Sequence, residues 1–262
     1  MVSKLRAFGP HGKHMLEWDS AHWLAQPSVR SLDDALVLEN ISCVDADGKV
    51  FESYPILEVA GDIFRTPDMG QQNFTPYQAI AHCEEKGFFL PSIALSCNIL
   101  AACEQSNDAE AARVLLQYRD KGNGTGWHAQ NTVVDWNRRM IVHYPHDKDF
   151  PSNGGSNDIN RQRMQKVFSF DPEGFVDIAL EEALRKPQFE QYIRNLTGLR
   201  DPLVLVKIGE RFGKSAQVWV PANSKGATCT AAAWVGCDNS NFNLNRSLIL
   251  SNSGAARPVR ER

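Results

Sequence analysis

Residues 75–104, TPYQAIAHCEEKGFFLPSIALSCNILAACE, contain the clearest structural signal in the chain. Thr75 can cap a helix, Pro76 fits the first helical turn, and Gln78 completes a capping box. Apolar residues then follow at helical spacing until Gly87, a typical residue just beyond a helix end. The sequence therefore predicts a helix from Pro76 to the residues before Gly87.

A second helix is predicted directly after the first. The apolar run at 88–90 turns at the following proline, and Ser92 can cap a helix over Ile93–Glu104, whose apolar residues share one face. A further helix is expected over about Asp108–Tyr118.

Two β-hairpins are predicted, one on each side of these helices. Ala35–Val44 and Lys49–Tyr54 flank an Asp-Ala-Asp-Gly turn, and a further strand is expected around Ile56–Phe64. Thr132–Asp135 pairs with Met140–His143 in the second hairpin.

The remaining segments complete an α+β pattern. Residues 145–163 are polar and predict a long loop, and Phe175–Asn195 predicts a helix that Pro187 interrupts. Further strands are predicted at Leu203–Ile208, Ala216–Val220, Ala231–Val235, Phe242–Leu250 and Ala256–Val259.

Composition excludes few functions. The formal net charge of −3 and the lack of a basic stripe predict no binding to nucleic acid or to an anionic membrane surface. No secretory signal and no run of 18 apolar residues is found, so synthesis in the cytosol is expected, with either the cytoplasm or a virion or other particle as the final location. No phosphate loop, dinucleotide fingerprint or nucleophile elbow is present, which predicts neither an enzyme nor a cofactor.

Asparagine alternates along one C-terminal segment, at positions 239, 241, 243 and 245. Alternate residues of a strand share a face, so four carboxamides would line one side while Phe242 and Leu244 face the other. Asparagine is a poor strand former, and a row of carboxamides offers many hydrogen-bond donors and acceptors. The segment therefore indicates either a polar ligand surface or a solvated strand.

The order of these motifs resembles the C-type lectin fold, in the bacterial and phage branch. The resemblance is carried by a strand leading to a capped helix, Gly87–Ser92, a second helix, and then Ala231–Val235 and Gly254–Arg260. It covers roughly residues 60 to 262 with long insertions. It implies a C-type lectin-like domain over residues 61–262, preceded by an N-terminal segment, residues 1–60, that contains the first hairpin.

Within that branch, the chain is similar to the variable proteins of diversity-generating retroelements. Their diversified stretch lies in the last segment of the fold, and asparagine codons are favoured targets. The resemblance implies a protein or other macromolecular ligand, with Trp219 and Trp234 as scaffold or anchor aromatics. The implied ligand-contacting positions are Asn239, Asn241, Asn243, Asn245, Ser247, Asn252 and Ser253.

Two alternative functions stay open. Formylglycine-generating enzymes share the fold and use a reactive cysteine pair near the end, where this chain has Cys229 and Cys237, but the surrounding motif is not recognisable. A structural component of a phage tail is the other alternative. The Glu-Pro-Asn or Gln-Pro-Asp and Trp-Asn-Asp steps that hold calcium in sugar-binding lectins are absent, which puts calcium-dependent sugar binding in doubt.

Weaker candidate sites have ordinary structural explanations. His143, His146 and Asp147 could ligate a divalent metal ion, or could simply end a solvated strand, and no metal is predicted. A nucleophile with a base could be built from Cys97 or Cys103 together with His82 or His128, although cysteines on an apolar helix face are usually inert.

Overall fold

Seventeen helices and strands make up the described part of the protein, which belongs to the α+β class. The computed structural model describes residues 28–32, 35–119, 126–135, 139–144, 166–169, 176–220, 230–238, 240–244 and 254–262. The strands are β1 (Ser28–Leu32), β2 (Ala35–Val44), β3 (Val50–Ala60), β4 (Trp127–Asp135), β5 (Met140–His143), β6 (Lys166–Ser169), β7 (Val176–Ala179), β8 (Ser215–Val220), β9 (Thr230–Cys237), β10 (Asn241–Leu244) and β11 (Val259–Glu261). The helices are α1 (Pro76–Glu85), α2 (Ile93–Gln105), α3 (Ala109–Arg119), α4 (Leu180–Leu184), α5 (Pro187–Thr197) and α6 (Val204–Arg211).

Both capping predictions are confirmed. Thr75 accepts a hydrogen bond from the backbone N–H of Gln78, and the Gln78 side chain accepts one from the Thr75 N–H. Ser92 accepts from the backbone N–H of Leu95 at 3.0 Å. These bonds satisfy N–H groups that the first turn of a helix leaves without an intrahelical partner, which explains why α1 and α2 begin where the sequence predicts.

The strands form two sheets. A four-stranded sheet has the order β1-β2-β3-β11, and a seven-stranded sheet has the order β6-β5-β4-β9-β10-β8-β7. Neighbouring strands are antiparallel except β8 and β10, which are parallel. The two predicted hairpins are confirmed as β2–β3 and β4–β5.

The bounds of several predicted strands differ from those in the structure. No separate strand begins near Ile56, because β3 continues through Pro55 to Ala60, opposite a left-handed Asn40 in β2 (φ 59°). Strand β10 ends at Leu244 and residues 245–250 lie outside the described range, whereas β11 begins only at Val259. The predicted loop at 145–163 also lies outside that range.

The segment predicted as a strand at Leu203–Ile208 is instead helix α6. Its buried residues Val204, Leu205 and Ile208 recur at helical spacing, and Asp201 accepts the backbone N–H of Leu203 at 3.1 Å. A six-residue apolar run fits a buried strand and a helix equally well, so periodicity alone could not separate them. Conversely, residues 176–179 of the predicted helix form β7, which pairs with β8.

The seven-stranded sheet carries one apolar cluster on each face. Alternate residues of β9 show this, since Ala233 and Val235 belong to a large cluster around α2, whereas Ala232 and Trp234 belong to a smaller one beside α1. These two clusters position β9, and with it the neighbouring strand β10.

The C-terminal strand closes the fold against the strand that precedes α1. Val259 pairs with Val59, so the N-terminal hairpin and the C-terminus share one sheet. Arg257 is buried and donates hydrogen bonds to the backbone oxygen of Ala60 and to the side chain of Gln117 in α3. Within the described residues, no helix has the length and apolar content needed to span a membrane.

Candidate functional site

Two of the alternating asparagines, Asn241 and Asn243, lie on an interior strand. Strand β10 lies between β9 and β8, with Phe242 and Leu244 buried in the large apolar cluster. Asn241 and Asn243 point to the opposite face, as the alternation predicts. The predicted division of β10 into an apolar and a carboxamide face is therefore confirmed for residues 241–244.

A tight turn leads into β10, and Asp238 organises it. The Asp238 carboxylate accepts the backbone N–H groups of Ser240 and Asn241, both at 2.8 Å, and the Asp238 N–H donates to the Asn241 oxygen at 2.9 Å. Lys214, just before β8, donates from Nζ to the Asp238 backbone oxygen at 2.6 Å. Four hydrogen bonds thus hold the end of the β9–β10 hairpin in one conformation.

Asn243, predicted to contact a ligand, is buried in the structure. Its side chain is only 3% exposed, and Nδ2 donates to Oδ2 of Asp238 at 2.9 Å. Asn241, two residues earlier on the same face, is half-buried. Asn243 therefore completes the Asp238 turn from inside the protein and has little surface to offer a ligand.

Strand β8 extends the face on which Asn241 lies. In the parallel pairing, Ser215 lies beside Asn241 and Gln217 lies beside Asn243. Ser215 and Ser240 are exposed, and Gln217 is half-buried. We call Ser215, Gln217, Ser240 and Asn241 the polar face. The sequence analysis did not identify Ser215 and Gln217, because the pairing of β8 with β10 joins residues that are far apart in the chain.

The two predicted tryptophans differ in accessibility. Trp219 is half-buried near the end of β8, and its backbone oxygen accepts a hydrogen bond from the Tyr192 hydroxyl. Trp234 is fully buried in the smaller apolar cluster, which is the location expected of a scaffold aromatic. The other predicted contact positions, Asn239, Asn245, Ser247, Asn252 and Ser253, lie outside the described residues.

The predicted metal ligand His143 is buried and fully hydrogen-bonded. Its Nε2 donates to the backbone oxygen of Asn195 at 2.9 Å, which leaves Nδ1 to accept from the Thr132 hydroxyl at 3.0 Å. No ring nitrogen lone pair is left for a metal ion. His146 and Asp147 lie outside the described residues, and no metal-binding group of three His, Cys, Asp or Glu side chains occurs within those that are described.

The cysteines weighed as nucleophiles are enclosed in the core. Burial raises the pKa of Cys103 to about 12 and raises that of Cys97 further, so neither thiol ionises near neutral pH. The two histidines considered as bases lie on other elements than α2, the helix that carries both cysteines: His82 is on α1 and His128 is in β4. Cys237 is 1% exposed within the large apolar cluster, and Cys229 lies outside the described residues.

A buried carboxyl group lies at the start of α2. Glu52 is 1% exposed and accepts hydrogen bonds from the hydroxyls of Tyr54, Tyr144 and Ser92 at 3.0, 2.7 and 3.2 Å. Desolvation raises the pKa of Glu52 above its ordinary value, although the three hydroxyls oppose this. Its hydrogen bonds join β3 to the start of α2 and to Tyr144, just after β5.

Substitution Glu52→Gln should change how stability depends on pH. Because the pKa of Glu52 is raised on folding, the wild-type carboxyl group keeps its proton to a higher pH in the folded state than in the unfolded state. Its stabilising contribution is therefore complete below the ordinary carboxyl pKa and is lost as the pH rises through the raised value. The free energy of unfolding of wild type minus that of E52Q should fall with rising pH, by at most about 1.4 kcal/mol per pH unit. Urea titrations of both proteins measure it, and a constant difference would contradict the expectation.

Comparison of the chain with family models, curated proteins and solved structures finds no match. The assignment of a function therefore depends on the geometry of the polar face and of the residues that support it.

Proposed function

We propose that the protein binds a protein or another macromolecular ligand through the polar face, as a C-type lectin-like scaffold with a diversified C-terminal surface. The polar face lies at the start of β8 and β10, where side chains from two strands and one turn come together. In the narrower form of the proposal, the chain is a retroelement variable protein of bacterial or phage origin, and its C-terminal polar positions differ between copies.

The turn held by Asp238 carries this proposal. A binding surface that tolerates sequence change needs a backbone whose conformation does not depend on the changing side chains. Here the conformation depends on Asp238, Lys214 and buried Asn243, none of which belongs to the polar face. Exposed Ser240 and Ser215 can then vary at little cost, because surface substitutions usually change stability by less than about 0.5 kcal/mol.

The order and pairing of the elements support the C-type lectin part of the proposal. A strand, two capped helices, a sheet and a C-terminal strand follow one another as the resemblance implies. The last strand returns to pair with β3, the strand before the first helix. The C-terminal strand of residues 61–262 thus shares a sheet with the N-terminal hairpin.

The two alternatives have less support. In the enzyme alternative, Cys237 would have to reach a peptide substrate, yet its side chain is packed in the large apolar cluster. Loss of an activity on a peptide thiol after alkylation of Cys229 and Cys237 would favour that alternative. A phage tail component would form a defined oligomer, often a trimer, and mass measurement in solution would detect it.

The same new residue should lower stability by very different amounts at two positions of this hairpin. Asn243→Leu keeps the size of the side chain but leaves Asp238 Oδ2 without the Nδ2 donor, so a loss of about 1–3 kcal/mol in unfolding free energy is expected. Ser240→Leu, at an exposed position, should cost less than about 0.5 kcal/mol. Urea unfolding followed by circular dichroism compares the two. Equal losses would contradict a division between a supporting Asn243 and a variable Ser240.

A display library tests binding itself. The four residues of the polar face would be randomised and selected against a purified probe protein such as hen egg-white lysozyme, with protease resistance as the measure of folding. A control library would randomise exposed Glu181 and Glu182 on α4 and exposed Arg185 directly after it. Specific binders should come from the polar-face library alone. Equal yields from both libraries would overturn the proposal.

Comparison of gene sequences tests the retroelement version separately. Differences between the 3′ end of the gene and a neighbouring near-copy should be confined to adenines and should fall on codons for exposed positions, with codon 243 unchanged. A genome with no such near-copy and no reverse transcriptase gene nearby would remove the retroelement version and leave the binding proposal intact.

A further inference from the structure

Three buried side chains from three parts of the fold pack on one another. The imidazole of His128 in β4 stacks on the phenol ring of Tyr118 in α3, with 3.8 Å between the ring centroids and 14° between the ring planes. The guanidinium carbon of Arg257 lies over the same phenol ring, 5.6 Å from its centroid. Each of the three side chains is at most 1% exposed. We call them the buried stack, which joins one permanent cation to one group that can bind a proton.

A proton added to His128 would have no hydrogen-bond acceptor. Its Nε2 donates to the backbone oxygen of Gln117 at 3.2 Å, which leaves the lone pair on Nδ1. Nδ1 is buried and has no hydrogen-bond partner among the described residues. Protonation would therefore place an unpartnered N–H and a second positive charge in the buried stack, together with Arg257. Burial first, and Arg257 second, accordingly lower the pKa of His128 to about 3.

The hydrogen bonds of Arg257 go to neutral acceptors. One guanidinium nitrogen donates to the backbone oxygen of Ala60 at 2.6 Å, and another donates to the side-chain oxygen of Gln117. Nε is buried and has no hydrogen-bond partner among the described residues. Contact with water would therefore satisfy a donor that the folded state leaves without an acceptor.

The other titratable groups around the buried stack offset its positive charge only in part. Asp62 attracts Arg257, but its carboxylate accepts two hydrogen bonds from Arg65, at 3.1 and 2.9 Å. Burial raises the pKa of Cys103 to about 12 and also raises that of Tyr118, so both groups are neutral near pH 7. Two cations in the buried stack would therefore repel each other with little compensation from these groups.

The segment that carries the guanidinium also binds the backbone on both sides of the imidazole. We call residues 254–262 the C-terminal segment. Its Ala255 donates an N–H to the Trp127 oxygen at 2.8 Å and accepts the Ala129 N–H at 2.9 Å. Strand β11, within this segment, lies at the edge of the four-stranded sheet, whereas β4 is paired on both sides, with β5 and β9. The C-terminal segment can therefore detach without breaking any strand pair except β3–β11.

We propose that the C-terminal segment is a pH-sensitive switch, in which protonation of His128 releases residues 254–262 while the rest of the fold stays intact. Release separates the two cations and brings both the imidazole and the Arg257 guanidinium into contact with water. The bonds lost are those of β11 to β3 and the bridges from the segment to Phe74, Phe89 and β4. A local opening of this kind needs less free energy than global unfolding does.

Hydrogen exchange of the wild-type chain between about pH 6.5 and about pH 5, corrected for the intrinsic effect of pH on exchange, tests the proposal. Protection of the amides of the C-terminal segment should fall by about tenfold per pH unit, because its opening exposes one histidine. Amides of α2, which need global unfolding to exchange, should lose protection by about a hundredfold per pH unit, because His128 and His143 both become exposed.

Two matched variants identify the histidine. His128→Gln should remove the effect of pH on the C-terminal segment. His143→Gln should leave the tenfold dependence of the segment unchanged and reduce that of α2 to about tenfold. If H128Q does not fold, the wild type and H143Q still decide the question. The proposal is overturned if the segment loses protection in step with α2, which means release by global unfolding alone, or if its protection does not depend on pH, which means an opening unrelated to His128.

Discussion

Acidification from about pH 7 to about pH 4 is expected to unfold the protein, because two histidines are buried in their neutral form. Burial, with a smaller contribution from Arg257, lowers the pKa of His128 to about 3. Burial lowers the pKa of His143 to about 4, against the opposing effect of its hydrogen bond to Asn195. Both imidazoles lie in the sheet at positions without access to water.

The direction of the effect follows from the order of the pKa values. In the unfolded chain a histidine binds a proton near pH 6.5, well above the folded values. The stabilising contribution of each neutral histidine is therefore complete above about pH 6.5 and is lost as the pH falls toward the folded pKa. The stabilising contribution of each histidine falls by about 1.4 kcal/mol for every pH unit below about pH 6.5. By pH 4 the protein has lost about 3 kcal/mol of unfolding free energy per histidine. The two together approach the total stability of a typical domain, about 5–15 kcal/mol.

Single substitutions separate the two histidines. His143→Gln removes one titrating group, so the slope of unfolding free energy against pH should fall from about two protons to about one between about pH 6.5 and about pH 4.5. Leu203→Gln is the control, since it replaces an exposed residue that does not titrate and should leave the slope near two. Urea unfolding at a series of pH values measures both slopes. A slope of two in H143Q would show that His143 is not the titrating group.

The second large effect is expected for Gly236→Ala. A Cβ atom at position 236 would lie 1.8 Å from the backbone oxygen of Gly126 and 2.9 Å from the Cα atom of Trp127. Both neighbours are backbone atoms of the adjoining chain segment and cannot rotate away. Strand β9 would have to separate from the start of β4, at a cost above about 3 kcal/mol, beyond the usual range for overpacking.

Gly213→Ala provides the matched control. Gly213 has a φ of 68° but open space around the position of a Cβ atom, so alanine there meets strain without a clash and should cost about 1–2 kcal/mol. Gly236 lies opposite Asn243 in the sheet, so G236A should also weaken the binding that we propose for the polar face. Urea unfolding and recovery of soluble protein measure the difference. A G236A variant as stable as G213A would show that β4 and β9 do not approach so closely.

Local signals in the sequence predicted the elements that depend on nearby residues. The capping box at Thr75, the Ser92 cap and the Asp-Gly turn of the first hairpin each act over four residues or fewer, and all three are present. The apolar run at Leu203–Ile208 was misread, because a short buried segment takes its conformation from its packing partners.

The sequence by itself determined which side of β10 is polar, since alternation depends only on the pleat of a strand. Only the tertiary structure decided which polar residues have a surface. Asn241 and Asn243 are the same residue type on the same face, yet Asn243 is enclosed by Asp238 and by Gln217 of a neighbouring strand. Burial depends on neighbours that folding brings from distant positions of the chain. The pattern within residues 239–245 does not specify those neighbours.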